Sequence, residues 1–234
     1  MSAVLDLPRT TSLNTVRKAV SLALEDESPV VLPNVSWATY HQFVRENMNR
    51  LRNPRFYYEK GSLLVMPVGA EHEYDNRLIA SLTEIMAEEF QVNFYNLGSA
   101  TYQRDDLERG FEPDSCFYFA NEPKIRGVKQ LDMAIHPPPD LLIEVDITSL
   151  SVKRESIFAA FGVPEIWRYD GATLRFLKLE GAKYVPLTHS LALPLLTAEK
   201  LTEFIAASAT MPRLAWVNHV RAWARAVADG KHPA

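Results

Sequence analysis

Apolar residues first recur at helical spacing. Leu13, Val16, Val20 and Leu24 stand three or four positions apart, and Thr11 or Ser12 is placed to cap the turn before them, which predicts a helix over 11–27. A second short helix starts at Ser36 and buries Trp37, Tyr40, Val44 and Met48. After Gly61 the period changes. SLLVM (62–66) reads as a strand, PVGA as a loop, and EHEYDNRLIASLTEIMAEEF (71–90) as a helix with the inward stripe Tyr74, Leu78, Leu82 and Ile85. Short strands follow near 92–96, 100–103 and 114–119. A Pro-rich connection over 121–139 leads into a strand at 141–147. A helix over 152–161 precedes strands in GVPEIWRYD, TLRFLKLE and KYVPL, with Gly171 and Gly181 marking turns. Two helices close the chain. The last carries the stripe Trp216, Val220, Trp223 and Val227, while Arg213, Arg221 and Arg225 read as the solvated face of a packing helix. Helices interleaved with strands predict an α/β or α+β fold around a mixed sheet. The expected division is a helical preface over 1–50, a core domain over 51–205 and a C-terminal helix over 206–234.

Composition narrows the class only a little. The 234 residues, 47% apolar and 23% charged, suit one large globular domain or one with an appendage. No run approaches the ~18–20 apolar residues that span a bilayer. The first residues lack a basic segment followed by an apolar core, so no secretory signal is expected. Cys116 is the only cysteine, which excludes an intrachain disulfide and cysteine-based zinc sites and predicts a reducing, cytoplasmic setting. A net charge of −4 argues against non-specific coating of nucleic acid, but it leaves room for a local basic groove.

One stretch breaks the apolar rule. In PPPDLLIEVDITS (137–149), Leu141, Leu142, Ile143, Val145 and Ile147 suit a strand buried on both faces, yet Glu144 and Asp146 interrupt them. Alternation puts Leu142, Glu144 and Asp146 on one face. An unpaired buried carboxylate is costly, so a compensating cation is predicted, and Mg²⁺ suits oxygen ligands with retained waters. GFEPDSCFYF (110–119) offers Asp114 at the start of another strand. Asp140 lies about 13 Å along the strand from Glu144, too far to share an ion, and reads as a strand-entry residue. Glu71 falls on the helical stripe and is either a third acid of the site or a carboxylate facing the helix dipole. His72, one step off that stripe, reads as a surface or supporting residue. Arg154 shares a helix face with Phe158 and Phe161, while Lys153 is rotated toward Ile157. The inward Arg154 is either a phosphate-stabilising cation or the structural partner of Glu144 or Asp146.

Taken in order, EHEYDNRLIA, GSATYQRDDLERGFEPDSCFYF and PPPDLLIEVDITSLSVKRESIFAAFGVPEIWRYDG resemble the PD-(D/E)XK nuclease superfamily. They are most similar to its bacterial putative restriction endonuclease family, over about residues 50–205. The resemblance implies a restriction-endonuclease-like core, a mixed sheet flanked by helices, and Mg²⁺-dependent (or Mn²⁺-dependent) hydrolysis of phosphodiester bonds in DNA. It implies that Asp114, Glu144 and the Val145 carbonyl, with Asp146 beside them, hold the metal, and that Glu71 falls near an acid many superfamily members carry on the first core helix. The superfamily pattern places Lys two residues after the Glu, where this chain has Asp146; the basic role then passes to Arg154 or Lys153. The resemblance also implies a possible homodimer, since two cuts need two sites. The rival expectation is a silent nuclease fold that binds nucleic acid or a protein partner. A glycosidase using Asp114 and Glu144 is disfavoured, because Asp146 would crowd the pair with a third charge.

Overall fold

A computed structural model describes residues 10–47, 54–146 and 154–231. The chain divides into two compact units, Met1–Gly69 with Thr101–Glu112, and Ala70–Ala100 with Pro113–Ala234.

In the first unit, α1 (Leu13–Glu25) begins at Ser12, whose hydroxyl accepts the Thr15 N–H at 3.2 Å, and α2 (Trp37–Asn47) follows. Both lie on an antiparallel sheet of β1 (Val30–Leu32), β2 (Arg55–Glu59), β3 (Ser62–Met66), β5 (Tyr102–Arg104) and β6 (Arg109–Phe111), in the order β1-β3-β2-β6-β5. The amphipathic helices bury Val16, Val20, Tyr40 and Phe43 against Phe56, Tyr58 and Val65 of that sheet. Tyr40 stacks on Tyr58 with ring centroids 4.6 Å apart. That ring explains the glycine in β6: a Cβ on Gly110 would meet the Tyr40 hydroxyl at 2.5 Å. The helices expected as a preface therefore share a core with strands on either side of the second unit's first segment. The division falls at 69/70, 100/101 and 112/113, where the sequence pattern predicts 50/51 and 205/206. Met48 lies outside the described residues.

The second unit is built on a six-stranded sheet in the order β11-β10-β9-β8-β7-β4. Its strands are β4 (Tyr95–Asn96), β7 (Ser115–Tyr118), β8 (Leu141–Val145), β9 (Glu165–Tyr169), β10 (Leu174–Glu180) and β11 (Lys183–Leu187). All pairs are antiparallel except β8 with β9, which makes the sheet mixed. A parallel pair needs a crossover, and α5 (Glu155–Phe161) lies in it. On one face Ile143, Val145, Trp167 and Phe176 share a core with α3 (Ala70–Glu89), α6 (Ala198–Ser208) and α7 (Arg213–Ala228). Alternation turns Leu142, Glu144, Ile166 and Arg168 to the other face, toward α5. Short α4 (Glu122–Ile125) sits in the Pro-rich connection. This is the α+β, restriction-endonuclease-like arrangement that the pattern and the resemblance imply.

Two helices refine the sequence reading. The Trp216 indole N–H of α7 donates to the Phe204 carbonyl at 2.7 Å, and Val220 and Ala224 are buried beside it. Its basic face is matched: Arg221 and Arg225 pair with Glu88 and Glu89, each at 2.7 Å, offsetting carboxylates at the unfavourable C-terminal end of α3. In α3 the buried positions are Asn76, Leu78, Ile79, Leu82, Thr83, Ile85, Met86 and Ala87, while Tyr74 is 57% exposed. The inward face is centred on Ile79 and Met86 instead of running through Tyr74.

Glu112 closes the first unit. It accepts the Thr101 hydroxyl at 2.8 Å and the Phe56 N–H at 3.2 Å, and burial raises its pKa to about 7 against the opposing pull of Thr101, Arg55 and Phe56. A raised pKa means that its contribution is complete below the unfolded value of 4.5 and is lost as pH rises through about 7. After screening by water at its partly exposed edge, the loss is about 2 kcal/mol. Glu112→Gln keeps both hydrogen bonds, because Thr101 can accept as well as donate. Denaturant unfolding at pH 5 and pH 8 should show the wild type weaker at pH 8 and the variant with a clearly smaller loss, since His72, whose pKa is also raised, still titrates in that window; an undiminished pH slope in the variant would assign the effect elsewhere.

Candidate active site

Pro113 biases the preceding backbone toward extended geometry and starts the chain into β7. Ser115 pairs with Ile143 and Cys116 with Leu142, so the same register carried one step further sets Asp114 opposite Glu144. Directly opposed residues have Cα atoms roughly 4.5–5.5 Å apart, which brings two carboxylates to one place. Both residues are only 2% exposed. Asp114 is held from two sides. Its Oδ2 accepts the Val145 N–H at 2.9 Å and lies 3.1 Å from His72 Nε2. Its carbonyl accepts from Asn76 Nδ2 at 3.0 Å, and the Asn76 amide oxygen accepts the Ser115 hydroxyl at 2.8 Å. One turn of α3 thus anchors the entry to β7.

Glu144 and Asp146 meet guanidinium. Arg154 Nη1 donates to Glu144 Oε2 at 2.7 Å and Nη2 lies 2.9 Å from Asp146 Oδ1. Arg168 reaches Asp146 from the opposite side through Nε at 2.9 Å and through Nη2, and its Nη1 donates to Glu155 at 3.1 Å. Arg168 stands beside Glu144 in the parallel register of β8 and β9. Arg154 is 7% exposed, so its charge acts where water screens little. The Asp146 carboxylate is thus shared by two arginines.

The remaining expectations fall as follows. Glu71 is exposed; burial and, after it, the Glu71 charge raise the pKa of Asp75. His72 takes the inward place expected of Glu71: it sits seven residues before Ile79, on the centre line of the buried face. Burial lowers the His72 pKa, but the hydrogen bond and charge of Asp114, the Glu144 charge and the Val145 carbonyl outweigh it, so the net shift is upward. Asp140 is a strand-entry residue, accepting the Phe119 and Asn121 N–H groups at 2.7 and 2.9 Å. Lys153 lies outside the described residues. Of the two places open to His72 it takes the supporting one, beside Asp114, while Asn76 and Arg168 are the site residues that the sequence did not single out. Arg168 carried a readable signal, a charge inside the apolar strand EIWRY, of the same kind that drew attention to Glu144.

Among the described residues, no three His, Cys, Asp or Glu side chains form a ready metal cage. Mg²⁺ does not require one, because it is commonly held by one or two carboxylates with waters completing the shell. Asp114 and Glu144 fit that demand, with the Val145 carbonyl adjacent. A carboxylate has acceptor capacity for about four contacts, so the Arg154 bond does not exhaust Glu144.

No helix among the described residues is long and apolar enough to cross a membrane. No curated protein matches the chain. A profile of the Uma2 family, described as "Putative restriction endonuclease", matches residues 37–210. The match takes in α2 and α6, extending beyond the 50–205 where the motifs themselves lie. With most of its length matched, the chain belongs to the Uma2 putative restriction endonuclease family.

Proposed function

We propose that this protein is a divalent-metal-dependent endonuclease that hydrolyses phosphodiester bonds in DNA, with Mg²⁺ or Mn²⁺ as the ion. The observation that carries the reading is the pairing of two buried carboxylates, Asp114 and Glu144, with a buried guanidinium 2.7 Å from one of them. Asp114, Glu144 and the Val145 carbonyl would hold the ion. When bound, such an ion polarises a phosphoryl oxygen and makes water a nucleophile near neutral pH. The protein's own part is geometric and electrostatic. Asn76 fixes the Asp114 backbone and the Val145 N–H fixes its carboxylate, so that carboxylate would meet the ion with little reorganisation. Arg154 stays charged at any ordinary pH and faces the place where a phosphorane gains negative charge. Asp146 and Arg168 hold Arg154 in register, so that an arginine from the crossover takes the part of the strand lysine. Lys153 is the alternative cation, and a homodimer would present one such centre to each strand.

Plasmid nicking tests this directly. Wild-type protein should nick in Mg²⁺ or Mn²⁺ and stop on addition of EDTA, and Glu144→Ala should lower the rate by about a hundredfold or more. Activity surviving EDTA, or intact in Glu144→Ala, contradicts the mechanism. The second reading, a nuclease fold that binds DNA without cutting it, draws on Asp146 standing where lysine is expected; retention of DNA on gels with no nicking in either ion would favour it.

Arg154 gives a separate test. Removing one partner of a buried ion pair typically costs about 3–5 kcal/mol, because the other charge is left uncompensated. Arg154→Met should therefore lower unfolding stability by roughly 3 kcal/mol in EDTA, with part of the loss recovered when Mn²⁺ is added. Equal losses with and without Mn²⁺ would mean that no cation compensates Glu144.

A further inference from the structure

We infer that Arg168 contacts the substrate: it is a guanidinium that Asp146 aims outward to grip a nucleic-acid backbone phosphate flanking the one that is cut. The inference rests on the proposed reading of this site as one that meets DNA, and it adds the residue that holds the backbone in place.

Asp146 carries two guanidinium groups that differ in access. The Arg154 side chain is 8% exposed and closes on Glu144, whereas that of Arg168 is 42% exposed. Arg168 is the direct partner of Glu144 across the parallel pair β8 and β9, so an accessible cation lies one strand from the candidate acids. The inner half of its fork is fixed. Nε and Nη2 both donate to Asp146, a carboxylate only 6% exposed. The outer arm is held loosely: Nη1 donates at 3.1 Å to Glu155, whose side chain is 43% exposed, and exposed pairs of this kind contribute about 0–1 kcal/mol. A phosphate oxygen offers that arm a charge-assisted bond in exchange, so Glu155 can be displaced while Asp146 keeps the fork aimed. The charge of the whole chain makes such a contact necessary. At a net −4, with buried carboxylates at the centre of the site, general attraction for a polyanion is weak, and local cations have to bring the backbone in. The same geometry gives the aspartate at 146 a second task, orienting a phosphate-binding arginine on the neighbouring strand as well as bracing Arg154.

The test measures binding apart from cutting. Fluorescence anisotropy of a short labelled DNA duplex of mixed sequence is followed in EDTA over a series of NaCl concentrations. The proteins are the full chain as wild type, Arg168→Gln, Glu155→Gln and the double variant. Arg168→Gln should weaken binding by about tenfold and reduce the slope of log affinity against log salt by about one. Glu155→Gln should tighten binding by about threefold, because the arm no longer has to leave a carboxylate, and this gain should vanish in the double variant. Removing a negative charge that acts only at long range would help equally in both backgrounds. An equal gain with and without Arg168 therefore overturns the inference, as does no gain in Glu155→Gln, an unchanged salt slope in Arg168→Gln, or a wild type that does not bind the duplex. Glu155→Gln alters only a surface pair, so it keeps the test decisive if Arg168→Gln fails to fold. If the inference falls, Arg168 only braces Arg154, and plasmid nicking still decides the proposed hydrolysis. The predicted shifts in a protein that does not nick would keep the phosphate contact and remove the hydrolysis.

Discussion

Three carboxylates buried at the ends of neighbouring strands need counter-charge, and that need shapes the second unit. Left alone, Asp114, Glu144 and Asp146 would each cost several kcal/mol or take up a proton. The fold answers with groups from three directions: His72 from α3, Arg154 from the crossover, and Arg168 from the parallel strand. Each is fixed by backbone that serves another purpose, the α3 packing face, the parallel connection and the strand ladder. Positive charge brought in on rigid elements can hold acids at the density that phosphoryl chemistry requires.

Glu165 shows the same burial resolved in a different way. It is fully buried on β9, but its carboxylate accepts from Trp167 at 2.8 Å, from Ser190 at 3.2 Å and from the Leu191 and Ala192 N–H groups at 3.0 and 2.8 Å. Those donors are neutral, and burial still raises its pKa. Such an acid ties the loop at 190–192 to the sheet and has no evident chemical task. Asp114 and Glu144 differ in facing charged and ionisable groups, and that difference separates a candidate site from a structural acid.

Most of the architecture was legible in the sequence because periodicity is local. The strands at 62–66, 141–145 and 165–187 and the helices α3, α5, α6 and α7 follow from alternation, apolar stripes and turn residues. What escaped depends on distant partners. β1 and β6 are three residues each, and β6 contains Gly110, a poor strand former that is there because the Tyr40 ring leaves no room for a side chain. The grouping of 101–112 with the first 69 residues is likewise set by pairing across the chain. In the site, Asp114, Glu144 and Arg154 were readable as charges among apolar neighbours. His72 was readable only as a surface or supporting residue, because Tyr74 drew the α3 stripe toward Glu71, whereas Ile79 and Met86 centre it on His72. Arg168 needed the parallel register, which no local pattern encodes.

The proposed function requires that Asp114 and Glu144 share one divalent ion. Crystals grown in MnCl₂ and measured at a wavelength where manganese scatters anomalously would test it most directly. A single anomalous peak about 2.1–2.3 Å from an oxygen of each carboxylate is the predicted result. A Mn²⁺-soaked structure with no peak between them, and Arg154 still closed on Glu144, would contradict it.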